Sequence, residues 1–204
     1  KPLIAYTIEA AQQSARLTRT IVSTEDPEIA ATAERFGAEA PFVRPAELAL
    51  DETPMLPVLI HGVGWLEDHG EKFDAVCLLQ PTNPMRTASD IDGCIELMER
   101  NDADTVFTVL PVPQHYNPHW VYEPDSQGNL RLSTGESTPI PRRQQLPLAF
   151  HREGSVYVVK RNVLMEQNTL YGPRVYGYRM KAERSVNIDE LSDWKRAATL
   201  VAGV

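Results

Sequence analysis

LLQPTNPMR, Leu78 to Arg86, follows Phe73-Asp74-Ala75-Val76-Cys77, and together they make an apolar run that ends at Leu79. Such a run, bounded by polar residues, is the pattern of a strand buried on both faces of a parallel sheet. Pro81 and Pro84 cannot donate ladder hydrogen bonds, so the backbone leaves the sheet after Gln80. Thr87 with Asp90 three residues on is a capping-box pattern, opening a helix over Ile91, Ile95, Leu97 and Met98. The unit reads strand, rigid polar loop, helix. Ligands of open α/β sheets bind at the carboxyl ends of strands. Here the loop offers the Gln80 and Asn83 amides, the Thr82 hydroxyl and the Arg86 cation. A Pro-rich turn with solvated polar residues has the same composition.

Working outward, the spacing of Ile4, Ile8, Ala11 and Ala15 predicts a helix over Leu3–Ala15, followed by a short strand at Thr20–Thr24. Pro27 opens a helix through Ile29, Ala33 and Phe36, and Gly37 closes it. A weak strand at Ala40–Val43 leads through a polar loop, Glu47 to Thr53, into a helix holding Leu56, Leu59, Val63 and Leu66. Beyond the central unit comes a strand at Thr105–Leu110. The alternation predicts an α/β fold with a doubly wound, mostly parallel sheet. It also asks for a strand ahead of the first helix, so the full protein is expected to extend before Lys1.

From Pro111 prolines punctuate a polar segment with a hairpin signal at Ser126-Gln127-Gly128-Asn129. Trp120, Val121, Tyr122 and Leu130 give it something to bury. Residues 111–147 thus read as an excursion from the sheet, either a plain surface feature or a protruding arm that packs on a second subunit. Strands at Gly154–Val159 and Arg174–Met180 and a closing helix over Ser192–Val201 complete one domain, 1–204.

The formal charge of −8 leaves no basic surplus for non-specific nucleic-acid binding, so a phosphate site has to be a local cluster of Arg or Lys. Cys77 and Cys94 fall in a strand and a helix without metal-ligand spacing and read as buried thiols of a reducing compartment. No apolar run approaches the ~20 residues of a membrane span, and no signal peptide is visible, so a cytoplasmic location is expected.

Arg142-Arg143, between Pro141 and Pro147, is the most basic spot of this acidic chain. Guanidinium forks on stiff backbone suit phosphate or carboxylate, although two solvated arginines would look the same. In Asn187-Ile188-Asp189, alternation puts two hard oxygen donors on one side, as Mg²⁺ prefers when phosphates and water complete its shell. Glu190 and Asp193 beside them also suit plain capping of the closing helix. Of the five histidines, His61 reads as packed on a helix face. His151, between the arginine pair and the next strand, is the one placed for a site. Neither a GxSxG turn nor a GxGxxG fingerprint is present; Gly62-Val63-Gly64 lies inside a predicted helix.

Six stretches, in order, resemble the CMP-sialic acid synthetase (acylneuraminate cytidylyltransferase) family. They are KPLIAYTIEAA from Lys1, IVSTEDPEIA from Ile21, RPAELALD from Arg44, LLQPTNPMR, RRQQLPLAF from Arg142 and RSVNIDELSDW from Arg184. The family's amino-terminal strand and its phosphate loop have no counterpart in these residues. The resemblance implies a Rossmann-like nucleotide-sugar transferase fold and transfer of CMP from CTP to the anomeric hydroxyl of a nine-carbon 2-keto acid sugar. It places Arg44 at the cytosine, the loop from Asp51 to Thr53 along the nucleotide, and Gln80, with Thr82 in its loop, toward the sugar. Arg143, beside Arg142, would bind the sugar carboxylate from the neighbouring subunit of a homodimer. Asp189, with Asn187, would hold Mg²⁺. Asn187 stands where relatives often carry Asp, Glu153-Gly154 replaces Asn-Gly, and His151 replaces an arginine near the sugar. The sugar is therefore open among N-acetylneuraminate, legionaminate or pseudaminate relatives and KDN. The alternatives are a KDO-type cytidylyltransferase and a catalytically silent homologue serving as a binding or dimerisation module.

Overall fold

The structure, a computed structural model, describes residues 1–202. Its central unit has the strand, loop and helix that the sequence asks for. The strand, expected to be buried on both faces of a parallel sheet, is instead partly exposed, pairs antiparallel and lies at the edge of the described sheet. Strand β1, Ala75–Leu78, ends in the proline loop, and helix α4, Ala88–Asn101, starts with a complete capping box between Thr87 and Asp90. Ahead of them lie α1, Leu3–Gln12, α2, Pro27–Arg35, and α3, Met55–Asp68. Asp26 caps α2, accepting from the Glu28 and Ile29 amides. Gly37, at φ +89°, ends it with paired bonds from Gly37 N to Glu34 O and from Ala38 N to Ala33 O, a Schellman closure. The strands expected at 20–24 and 40–43 shrink to two isolated parallel bridges, Ile21 with Glu39 and Thr24 with Val43.

The main sheet has the order β1-β5-β2-β6, with β2 at Thr105–Pro111, β5 at Phe150–Lys160 and β6 at Val175–Arg179. β5 is antiparallel to both β1 and β2, and only β2 and β6 are parallel. The expected mostly parallel sheet is thus corrected to a mixed one. After β2 the chain does not cross over through a helix; it leaves the sheet, turns, and returns directly beside the strand it left. A direct return of that kind makes an antiparallel pair.

One face of the sheet packs Val106, Val156 and Val158 on Ile91, Cys94 and Met98 of α4, with Ala10 of α1. The other packs Val159 on Val63 of α3 and on Val163 and Leu164 of a short helix α5, Arg161–Met165. Burial pushes the Cys77 thiol up to about 12 and raises that of Cys94 too, so both are inert thiols at neutral pH. Among the described residues no helix is long and apolar enough to cross a membrane.

The excursion holds a small hairpin, β3 at Tyr122–Pro124 and β4 at Leu130–Leu132. Trp120 donates from its indole to Ile140 O at 2.7 Å, and buried Asn117 donates to Pro147 O at 2.9 Å. These bonds tie the two limbs of the excursion together. The closing helix, α6, runs from Leu191 to Ala202.

Candidate functional site

The carboxyl end of β1 is where the fold gathers polar groups. Leu78 pairs with Tyr157, so β5 continues past the end of β1 toward Phe150. Phe107 pairs with Tyr157 but Val109 with Arg152, which leaves Glu153–Val156 bulged opposite Thr108. Gly154 makes the bulge possible, its φ of +98° lying where only glycine sits without strain. The Thr108 hydroxyl accepts from Val156 N at 3.1 Å and so replaces a ladder bond lost to the bulge.

Arg86, 4% exposed, is spent inside the fold. It donates to Ser155 O at 2.7 Å, to the Thr7 hydroxyl at 2.6 Å and to Gln80 O. Burial lowers it to about 10, which still leaves it charged at neutral pH. The sequence offered it as a cation for a ligand; the structure makes it the clamp between α1, the proline loop and the bulge. Asn83, only 2% exposed, also turns inward. Gln80 and Thr82 remain partly exposed, and among the described residues the Gln80 side-chain amide has no protein partner.

The Asn187–Asp189 segment lies on this loop. Ile188 N donates to Thr82 O at 2.9 Å, and Asn83 Nδ2 donates to Asn187 Oδ1 at 3.1 Å. Asn187 Nδ2 donates in turn to Asp189 Oδ2. The segment is fixed from behind by Arg184, paired with Asp90 at the start of α4. Asp193 accepts from the Asp189 and Glu190 amides at 3.1 and 3.0 Å, so it is Asp193 that caps α6 and the Asp189 carboxylate stays outside the helix, exposed. The structure therefore brings Gln80, Thr82, Asn187 and Asp189 into one place.

The remaining predicted residues lie apart from that cluster. Arg44 is paired with Glu25, at 2.6 Å, and holds that carboxyl below its ordinary range. Asp51 is exposed, and the Thr53 hydroxyl contacts Glu47 O at 3.3 Å in the loop that opens α3. Arg142 and Arg143 are exposed at a single 3-10 turn on the arm, where Arg143 bonds the Gln114 side chain. Among the described residues no hydrogen bond or ion pair joins either arginine to Gln80 or Asp189. His151 pairs with Leu110, two positions along β2 from Thr108 and four from Val106, so it shares the α4 face of the sheet. Arg152 takes the opposite face, donating to the Tyr171 hydroxyl at 2.9 Å. His61 packs edge-on against Phe42, ring centres 5.0 Å apart.

Among the described residues no group of three His, Cys, Asp or Glu side chains could hold a metal. What is available is one exposed carboxylate, Asp189. That donor set fits Mg²⁺ when phosphates and water supply its other ligands. Sequence reasoning missed the Glu153–Ser155 bulge, the inward turn of Arg86 and Asn83, and the Arg184–Asp90 clamp. Only Gly154 within a strand signalled any of these.

Residues 1–200 match a family model described as cytidylyltransferase. The CMP-N,N'-diacetyllegionaminic acid synthase of Legionella pneumophila is 31% identical over 196 residues, 95% of this chain and 82% of that protein. This chain belongs to the CMP-sialic acid synthetase family of cytidylyltransferases. The N-acylneuraminate cytidylyltransferase of Escherichia coli, another relative, is 28% identical over 201 residues, 98% of this chain and 46% of that protein. A solved CMP:2-keto-3-deoxy-manno-octonic acid synthetase complexed with CTP has the same fold, with a TM-score of 0.70 over 100% of this chain and 88% of that one, at 17% identity. The polar cluster sits beyond the carboxyl end of β1, where ligands of open α/β sheets bind.

Proposed function

We propose that this cytidylyltransferase transfers CMP from CTP to the anomeric hydroxyl of a sialic acid, an N-acylneuraminate or related nonulosonate, with release of pyrophosphate. The observation that carries this reading is the convergence of the Gln80–Asn83 loop with Asn187–Asp189 at the end of β1. It supports the reading because it sets an acceptor-binding amide beside an exposed carboxylate in a chain whose relatives are named for CMP-nonulosonates. The sugar hydroxyl attacks the α-phosphorus of CTP, a new P–O bond forms, and the bond to the pyrophosphate oxygen breaks.

Asp189 would hold Mg²⁺, which supplies neutralisation of the triphosphate charge when bound. Gln80, Thr82 and His151 orient the sugar, and Arg44, Asp51 and Thr53 line the nucleotide. Arg142 and Arg143 reach the sugar carboxylate of a neighbouring subunit in a homodimer. Their separation from Asp189 within one chain, and exposed Tyr116, Tyr122 and Leu148 on and beside the arm, support that arrangement. An eight-carbon KDO-type acceptor is the second reading, favoured by the fold shared with the octonic acid synthetase.

Pyrophosphate release by the natural full-length protein, with CTP, Mg²⁺ and a panel of N-acetylneuraminate, KDN, a legionaminate, a pseudaminate and KDO, tests it. Release is expected with one nonulosonate and is lost in Asp189→Ala, whose melting temperature stays that of the wild type. Release with KDO alone selects the second reading. A folded dimer that releases none with any sugar overturns both.

A further inference from the structure

A line of side-chain hydrogen bonds runs from the β5 bulge to the exposed carboxylate. Glu153 accepts from Ser155 N at 2.9 Å and from the Ser155 hydroxyl at 2.7 Å. That hydroxyl lies 3.4 Å from Asn83 Oδ1, and Asn83 Nδ2 donates to Asn187 Oδ1 at 3.1 Å. Asn187 Nδ2 then donates to Asp189 Oδ2. Ser155 is 1% exposed, as deep in the fold as Asn83.

The order of donors and acceptors along this line has a direction. The Asp189 carboxylate only accepts, so Asn187 must turn its NH₂ toward it and its own oxygen inward. Asn83 must then present its NH₂ to that oxygen, which leaves the Asn83 oxygen on the Ser155 side. An amide so turned is a donor to the carboxylate beside it and offers no oxygen to a cation on that side. We propose that Asn83 and Asn187 are positioning residues, a buried amide behind an exposed one, that pin Asp189 Oδ2 and leave Oδ1 for the cation and its phosphates. The inference rests on the functional reading above. It gives Asn187 the part of an orienting group in place of that of a metal ligand, and it gives Asn83 a part that the sequence did not reveal.

Asn83→Asp keeps the shape and reverses the sense. Its carboxylate accepts where the amide donated, so Asn187 turns over and sets its oxygen against Asp189. Asn83→Ala removes the inward partner altogether. Asn187→Asp keeps the bond from Asn83 and adds a second carboxylate beside Asp189. The probe is Mn²⁺, read by electron paramagnetic resonance on full-length protein with CTP and no sugar, beside melting temperatures and the KM for Mg²⁺ against kcat in turnover.

Loss of an outer-shell partner typically weakens metal binding 10- to 100-fold, so Asn83→Asp and Asn83→Ala should raise the Mn²⁺ dissociation constant about tenfold or more, the former further. Asn187→Asp should bind Mn²⁺ at least as tightly as the wild type. A merely structural Asn83 would lower the melting temperature and the number of sites while leaving their dissociation constant unchanged. Wild-type affinity in Asn83→Asp therefore overturns this inference alone. A wild type that forms no complex with Mn²⁺ and CTP overturns the functional reading, and this inference with it.

Discussion

Arg86 shows how a single side chain can serve the site without touching a ligand. Its guanidinium reaches α1 through Thr7, the proline loop through Gln80 O and the bulge through Ser155 O, and so joins three separate parts of the chain. A planar fork satisfies all three at fixed angles, which an ammonium on a flexible stem does not. Arg86→Met keeps the volume but takes the donor from Ser155 O and the Thr7 hydroxyl and leaves Gln80 O only the Asn83 amide at 3.4 Å. Each orphaned acceptor costs ~1–3 kcal/mol, so the variant should lose about 2 kcal/mol or more of unfolding free energy. Arg86→Lys should recover only part of it. Urea unfolding of the three proteins measures this, and an Arg86→Met variant within about 1 kcal/mol of the wild type would show that the clamp carries little.

At the scale of elements, the strand-loop-helix unit was legible because its signals are local. Two prolines ended β1, and Thr87 with Asp90 opened α4. The direction of β5 was not, because it depends on where the chain returns after nearly forty residues of arm, and no local pattern encodes that. The short helix α5 was missed for want of a cap or an apolar period in five residues. The bulge lies between these cases. Gly154 marked it, but the three extra residues appear only once β2 and β5 are paired. Gly154→Ala tests whether the bulge aims the site. A Cβ there would meet nothing closer than the Tyr157 hydroxyl at 3.6 Å, so the penalty is conformational. A left-handed alanine costs roughly 1–2 kcal/mol, a modest loss of stability. Ser155 and Glu153 sit on the strained turn, so the fall in kcat should exceed what that loss predicts. Equal activity per folded molecule would mean that the bulge is only a way of ending the β2–β5 ladder.

For the whole molecule, the proposed function requires residues on the arm to serve the polar cluster at the end of β1. Residues 112–149 leave the sheet between β2 and β5, and their internal bonds give the arm a fixed shape of its own. Arg143 sits on that arm, and among the described residues nothing bonds it to Gln80 or Asp189. Gln80 and Asp189 could be picked out as candidates from the sequence because each stands in a local motif. The place of Arg143 could not be, because it depends on which chain receives the arm. If the arm serves a second copy, an active site takes Asp189 from one subunit and Arg143 from the other. Asp189→Ala and Arg143→Ala homodimers should then both be inactive. Subunits of the two variants, exchanged at random, would form heterodimers in about half of the population. In each, one site has its own Asp189 and receives an intact Arg143 from the partner, while the other lacks both. Activity should therefore return to roughly a quarter of the wild-type level in the mixture and to about half in heterodimers purified through two different tags. If Arg143 serves its own chain, every site in the mixture lacks one of the two residues, and activity stays at the level of the parents.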